Sequence, residues 1–349
     1  MNDASYLLKS ENNMNAPTLH QNLSHIDDHI IRTLLYYDIF NYPLKSDEIF
    51  RFLGIDPIKE SDFLSSLQFL KQHQIVFQFE DFFTLKNNRA SIDRRKKGNI
   101  EAEKYLMLAK KQSKLIAKFP FVRGVLASGS LSKGYMDENS DLDFFIITAP
   151  KRLWIARTLL VMYKRLFLFN SHKYFCLNYY VDEDHLEIEE KNLFTATELA
   201  TAIPLYGSKQ YENLHLSNTW LKVFFPNYNP RSISNVPLSK ISFSKSILEN
   251  LSNFIFGDRI EKYFQQKTLS RWKRLYQNRY SATDFQVAFK STSYASKNHE
   301  RNYQRKIMDL YEEKLQLTGM SMNSPLDSKP EYSSSFLKEK SFLNSNANI

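Results

Sequence analysis

The sequence predicts an α+β protein built on a mixed sheet with helices, preceded by a small helical module and followed by a helical region. Three observations lead there. Residues 24–88 pair helical apolar spacing with two short aromatic strands. Residues 119–210 alternate apolar strands with turns and helices. Beyond residue 211 apolar positions recur at helical spacing between prolines.

Residues 1–23 read as a polar, disordered lead-in. The stretch "HIDDHIIRTLLYYDIF" (25–40) then places Ile26, Ile30, Ile31, Leu34 and Leu35 on one helical stripe. Pro43 stops that helix, Ser46 is expected to cap a second, and Asp56-Pro57 is expected to open a third, with Phe63, Leu67 and Leu70 facing inward. The segment "IVFQFEDFFTL" (75–85) predicts two strands around a Glu80-Asp81 turn. Three helices and a hairpin over 24–88 make a winged helix-turn-helix. Its third helix carries Glu60 and Asp62 as well as Lys59 and Lys71, and its wing turn is acidic, which repels phosphate. A packing or protein-contact role is therefore expected ahead of DNA binding. Residues 89–118 form a connecting helix with a stripe at Ala102, Leu106, Ala109 and Leu115.

The core is expected at 119–210. "FVRGVLASGS" runs as a strand into a glycine turn, and "LDFFIIT" (142–148) is a buried strand. A basic helix follows over 151–169, then the strand "KYFCLNYYV" (173–181), with "HLEI" (185–188) returning as its hairpin partner. A helix over 195–202 ends at Pro204. The region 211–319 reads as helical: one helix over 211–225, a long one over 244–278 interrupted near Gly257, and another over 298–317. Residues 320–349, rich in Ser and Asn, read as a disordered tail.

Lys and Arg exceed Asp and Glu by 47 − 38 = +9, which favours anionic partners. The single cysteine, Cys176, excludes an intramolecular disulfide and suits a cytoplasmic setting. The longest apolar run, 153–169, carries Arg157, Lys164 and Arg165, which argues against a membrane span. The first twenty residues are unlike a signal peptide. No His or Cys spacing suggests zinc.

The chemistry is concentrated at 128–143, "SGSLSKGYMDENSDLD". Asp141 and Asp143, two residues apart at the start of a strand, would point to one face. Two carboxylates side by side call for a cation, and hard oxygen ligands suit Mg²⁺. Upstream, Gly129 lets backbone N–H groups approach a phosphate, while Ser130 and Lys133 add donors. Asp137 and Glu138 belong to the return loop between the two halves.

A Gly-Ser pair, roughly ten residues and then Asp-x-Asp on a strand resembles the nucleotidyltransferase superfamily of the DNA polymerase β type, over about residues 115–205. The resemblance implies a nucleotidyltransferase-type sheet. It also implies an enzyme that moves a nucleoside monophosphate from an NTP such as ATP to an acceptor hydroxyl and releases pyrophosphate. Asp141 and Asp143 would hold Mg²⁺, and Gly129, Ser130 and Lys133 would bind the nucleotide. The acceptor, whether a small molecule, a protein or RNA, is left open. The family usually adds a third carboxylate on a later strand. Here Asn178 stands at that strand's centre, and Glu187 is the nearest strand acid. A one-metal enzyme and a catalytically degenerate nucleotide-binding regulator therefore stay open beside the full enzyme. The basic residues Arg271, Lys273, Arg274, Arg279, Lys290, Lys297, His299, Arg301, Arg305 and Lys306 offer either phosphate contacts or a solvated helix face.

Overall fold

The computed structural model describes residues 23–169, 173–254, 257–299 and 302–320. Apart from Leu23 and Met320, the lead-in and tail expected at 1–23 and 320–349 lie outside these residues. The protein is α+β, with a mixed sheet flanked by helices.

The chain opens with α1 (His25–Asp38), where Ser24 and Asp27 form a reciprocal capping box. β1 (Leu44–Lys45) leads into α2 (Ser46–Arg51). Ser46 is inside α2 rather than at its cap, because Glu48 reaches back to the Lys45 N–H at 2.8 Å. α3 (Glu60–Gln72) starts later than Asp56-Pro57, since Lys59 is still extended. β2 (Phe77–Phe79) and β3 (Phe82–Thr84) form the expected hairpin, and β1 joins it as a third strand beside β3.

The connecting helix α4 (Ala90–Ile116) begins well before the charged stretch ends. Its Gly98 is a close-packing site, because a Cβ there would meet the Tyr135 ring at 2.2 Å. Next come β4 (Val122–Ala127), the single turn α5 (Gly129–Ser132), β5 (Asp143–Thr148), α6 (Leu153–Phe167) and β6 (Cys176–Asp182). α7 (Leu193–Thr201) leads straight into β7 (Ile203–Tyr206), so Pro204 lies in an unforeseen edge strand.

The expected helix at 211–225 is two helices, α8 (Ser208–Ser217) and α9 (Leu221–Phe224). Asn218 separates them, and its side chain binds elsewhere: Oδ1 accepts the Ile188 N–H at 2.8 Å, and Nδ2 donates to the Leu186 and Leu214 carbonyls, both at 2.7 Å. That clamp also explains why "HLEI" is not a strand. Its backbone bonds to Asn218, and the free edge of β6 goes to a later segment. α10 (Phe243–Phe254), α11 (Gly257–Tyr276) and α12 (Ala282–Ala288) are followed by that segment, β8 (Ala295–Lys297), and by α13 (Tyr303–Leu317). A region expected to be wholly helical thus supplies one strand.

The main sheet runs β7-β4-β5-β6-β8, with β5–β6 parallel and the other pairs antiparallel. Alternation along the strands gives it two buried faces. On the front, Leu126, Phe145, Ile147, Val181 and Ala295 pack with α7, α8, α9, α13 and the N-terminal module. On the rear, Val125, Ala127, Phe144, Ile146 and Tyr180 pack with α4, α6, α11 and α12. The N-terminal module therefore shares the front core. Tyr36 of α1 meets Tyr311 of α13, and Lys314 pairs with Asp38 at 2.6 Å. No helix among the described residues is long and apolar enough to cross a membrane.

Candidate functional site

β4 and β5 are hydrogen-bonded neighbours, so the turn that ends one faces the start of the other. The Ser128 N–H continues the pairing by donating to the Asp143 carbonyl at 3.0 Å. Gly129 then takes φ +63, a left-handed conformation that favours glycine. It has no room for a side chain, because a Cβ would lie 2.3 Å from Asp143 Oδ2. The glycine is thus required twice, by its backbone angle and by the carboxylate against it.

Asp143 is the first residue of β5 and shares the front face with Phe145. Asp141 precedes the strand and is exposed. The intervening Leu142 is buried, with its N–H on the Lys173 carbonyl and its own carbonyl accepting from Cys176. Burial pushes the Asp143 carboxyl up to about 7; a bond from Cys176 and the Lys133 charge oppose this, while the Glu198 and Asp141 charges reinforce it. The Asp141 charge thus acts on Asp143, although Asp141 itself lies outside β5.

Asn178 sits at an irregularity in β6. Phe144 pairs with Leu177 and Phe145 with Tyr179, which leaves Asn178 as an extra residue. Such a bulge re-aims a side chain. Here Asn178 Nδ2 donates to Asp143 Oδ1 at 2.6 Å, and its Oδ1 accepts from the Cys176 thiol at 3.0 Å. The amide thus holds one oxygen of Asp143. Burial, with Asp143 beside it, pushes the Cys176 thiol up, so this cysteine is no thiolate nucleophile.

Glu187 is remote from this chemistry. It is exposed, lies outside any strand, and pairs with Lys191 at 2.6 Å. The carboxylate that does reach the turn is Glu198 of α7. Its Oε2 accepts the Gly129 N–H at 3.2 Å, and its Oε1 accepts from Lys133 Nζ at 2.6 Å. Lys133 Nζ also donates to the Gly129 carbonyl at 3.1 Å. Ser130 is half-buried, and its carbonyl accepts the N–H groups of Lys133 and Tyr135. Sequence reasoning passed over Glu198, although it is the only charged residue in α7, "LFTATELAT". A lone acid on an otherwise uncharged helix was the available signal.

The return loop is braced from outside the core. The Tyr42 hydroxyl donates to the Lys133 carbonyl, Asn99 Nδ2 donates to that of Gly134, and the Met136 N–H donates to that of Gly98 at 3.0 Å. Asp137 shapes the loop by accepting from Ser140 Oγ at 2.7 Å and from the Tyr135 hydroxyl at 2.9 Å.

No known family model matches this chain, and neither does any curated protein or solved structure.

Among the described residues, no three His, Cys, Asp or Glu side chains gather closely enough to hold a metal ion by themselves. Asp141 and Asp143 make a two-carboxylate set, which fits a cation that completes its shell with ligand oxygens and water. Several of the basic residues of the C-terminal region are neither free nor solvated. Lys290 is buried against Glu189 and Glu190, at 2.8 and 3.3 Å. Lys297 is buried on the front face with Nζ on Gln304 Oε1 at 2.7 Å, and burial lowers its pKa. Burial likewise pushes His299 down to about 3. Arg305 is exposed but paired with Asp284 at 2.5 Å. Arg301 lies outside the described residues.

Proposed function

We propose that this protein is a Mg²⁺-dependent nucleotidyltransferase that moves a nucleoside monophosphate from an NTP to an acceptor hydroxyl, with pyrophosphate as the other product. One observation carries the reading: Gly129, in a left-handed turn with no room for a Cβ, abuts Asp143 across a β4–β5 pair. A glycine turn can bring N–H donors to a phosphate, and an adjacent carboxylate pair can bind the cation that accompanies it. Asp141 and Asp143 would hold Mg²⁺, which would supply charge neutralisation at the reacting phosphate. The Gly129 and Ser130 backbone, the Ser130 hydroxyl and Lys133 would hold the phosphate tail. Asn178 would orient Asp143 through its 2.6 Å bond.

The order of three helices and a three-stranded antiparallel sheet supports the winged-helix reading of 24–88. Its acidic turn is neutralised internally, by Arg89 and Lys96 on Glu80 and by Lys45 on Asp81. Together with the Tyr42–Lys133 bond, this favours a bracing role over DNA binding.

Asn178 also supports a second reading, a nucleotide-binding regulator that has lost catalysis. It stands where the superfamily places an acid, and an amide cannot take a proton from the acceptor. The deciding experiment incubates the protein with each α-labelled NTP, Mg²⁺ and a cell extract, beside the Asp141→Asn/Asp143→Asn variant. Label transferred by the wild type alone upholds the enzyme. Retained NTP binding without transfer upholds the regulator.

A further inference from the structure

A second site is built on the rear face, away from the carboxylates. We propose that Arg157, Arg165 and Arg271 form a pocket for a phosphoryl group, presented by a small phosphorylated molecule or by a lipid headgroup. The proposal does not rest on the nucleotidyltransferase reading.

Arg157 is the centre of the pocket. It lies on α6 with 8% of its surface exposed. Its guanidinium carbon is 4.8 Å from the Trp272 ring, 5.6 Å from that of Trp154 and 6.0 Å from that of Tyr180. Aromatic faces stabilise a cation but provide no hydrogen-bond acceptor as strong as a carboxylate. Arg157 makes no ion pair among the described residues, and the Tyr180 hydroxyl is buried without a hydrogen-bond partner. The Tyr180 phenol is therefore buried with its donor unused, beside a guanidinium held by rings rather than by an acceptor among the described residues. Leaving the phenol donor unpaired is costly.

Two further arginines make the excess of positive charge larger. Arg165 lies two turns along α6, on the same face, and Arg271 precedes Trp272 on the packed helix α11. Both are close enough for their charges to oppose that of Arg157, and they oppose each other. No acid offsets them on these helices. α6 has none, and α11 has none after Glu261. Glu261 is itself engaged, accepting the Trp154 and Ile155 N–H groups at 2.6 and 2.9 Å. Three guanidiniums and a hydroxyl form a set made only of donors and positive charge. A tetrahedral dianion fits it, since guanidinium forks pair with phosphate oxygens in a bidentate manner.

The test titrates the full chain with inorganic phosphate, with glycerol 3-phosphate, and with phosphatidylcholine vesicles with or without phosphatidic acid. Calorimetry or co-sedimentation reads the binding. Saturable binding is expected, weakened about tenfold or more by Arg157→Lys, which keeps the charge but loses the fork. Arg165→Gln and Arg271→Gln are expected to weaken it several-fold each, and as exposed positions they keep the test valid should a change at Arg157 prevent folding. Binding of the soluble phosphates assigns a small ligand; binding of phosphatidate vesicles alone assigns a lipid headgroup. The proposal fails if no arm binds, or if binding survives all three arginine changes. It also fails if Lys133→Gln abolishes binding, which assigns the phosphate to the front site. It fails again if the chain binds only single-stranded RNA, with loss on replacing Lys267, Lys273 and Arg274 but not Arg157, because that describes a diffuse basic face.

Discussion

The two faces of the central sheet carry opposite electrostatic problems. On the front, Asp143, Asp141 and Glu198 are gathered around a glycine turn with Lys133 as the cation bonded there. On the rear, Arg157 lies against two tryptophans, with the charges of Arg165 and Arg271 acting on it and no carboxylate paired to any of the three among the described residues. Ordinary salt-bridge networks elsewhere in the chain close on themselves, as Arg123 does with Glu249 at 2.8 Å. An imbalance kept on a well-packed scaffold points to charge arriving from outside, a cation in front and an anion behind. The contrast separates groups that hold the fold from groups that wait for a ligand.

The front half of that contrast breaks most sharply at Asp143. Asp143→Asn is expected to lower transfer on the order of 10²–10³-fold, measured with labelled NTP; transfer within about threefold of wild type would remove the metal reading. The same variant should be more stable than wild type at pH 8. The folded-state carboxyl releases its proton near 7 and the unfolded one near 3.8, so the folded chain binds the extra proton between those values. Stability from this group is therefore full below about 4, declines through the interval, and is lowest above 7, by up to about 4 kcal/mol. Denaturation midpoints of the two proteins should diverge as pH rises. Mg²⁺ at pH 8 should narrow the gap by stabilising the wild type alone.

Gly129→Ala should cost about 2 kcal/mol, from its positive φ and the carboxylate 2.3 Å from the new Cβ. An unchanged urea midpoint would show that the turn relaxes freely. Glu198→Gln sharpens the comparison differently. Glu198 occupies the N–H and ammonium that a phosphate would need, so removing its charge should tighten NTP binding by roughly 3- to 10-fold. If transfer instead falls with binding unchanged, Glu198 acts as the third acid that Glu187 does not supply. Smallest is Tyr42→Phe, which removes one brace on the Lys133 carbonyl and should cost about 1 kcal/mol in thermal or urea unfolding.

Legibility followed distance along the chain. The turn at Gly129 and the Asp141/Asp143 pair were readable because they lie within one strand-turn-strand unit, where alternation and glycine chemistry act locally. α1, β5 and α6 were readable for the same reason, having strong apolar periods. Glu198 was missed because the fold alone brings α7 back to a turn nearly seventy residues earlier. β8 was missed because a three-residue strand has no periodicity, and its partner β6 lies more than a hundred residues upstream. The "HLEI" hairpin failed for the complementary reason: nearness in sequence suggested a pairing that Asn218 and β8 had taken by other routes. The rear arginines were visible as letters, but only packing showed that one was buried among rings.

The late arrival of β8 also bears on synthesis. The sheet cannot be completed until residues 295–297 have left the ribosome, so the nascent chain exposes the edge of β6 while most of its core is already present. An open edge carrying Leu177, Tyr179, Tyr180 and Val181 is the kind of surface that recruits wrong partners. Chains halted before residue 295 should therefore aggregate or engage chaperones, whereas chains released just past α13 should not. The last strand among the described residues acts as the seal on the sheet translated before it.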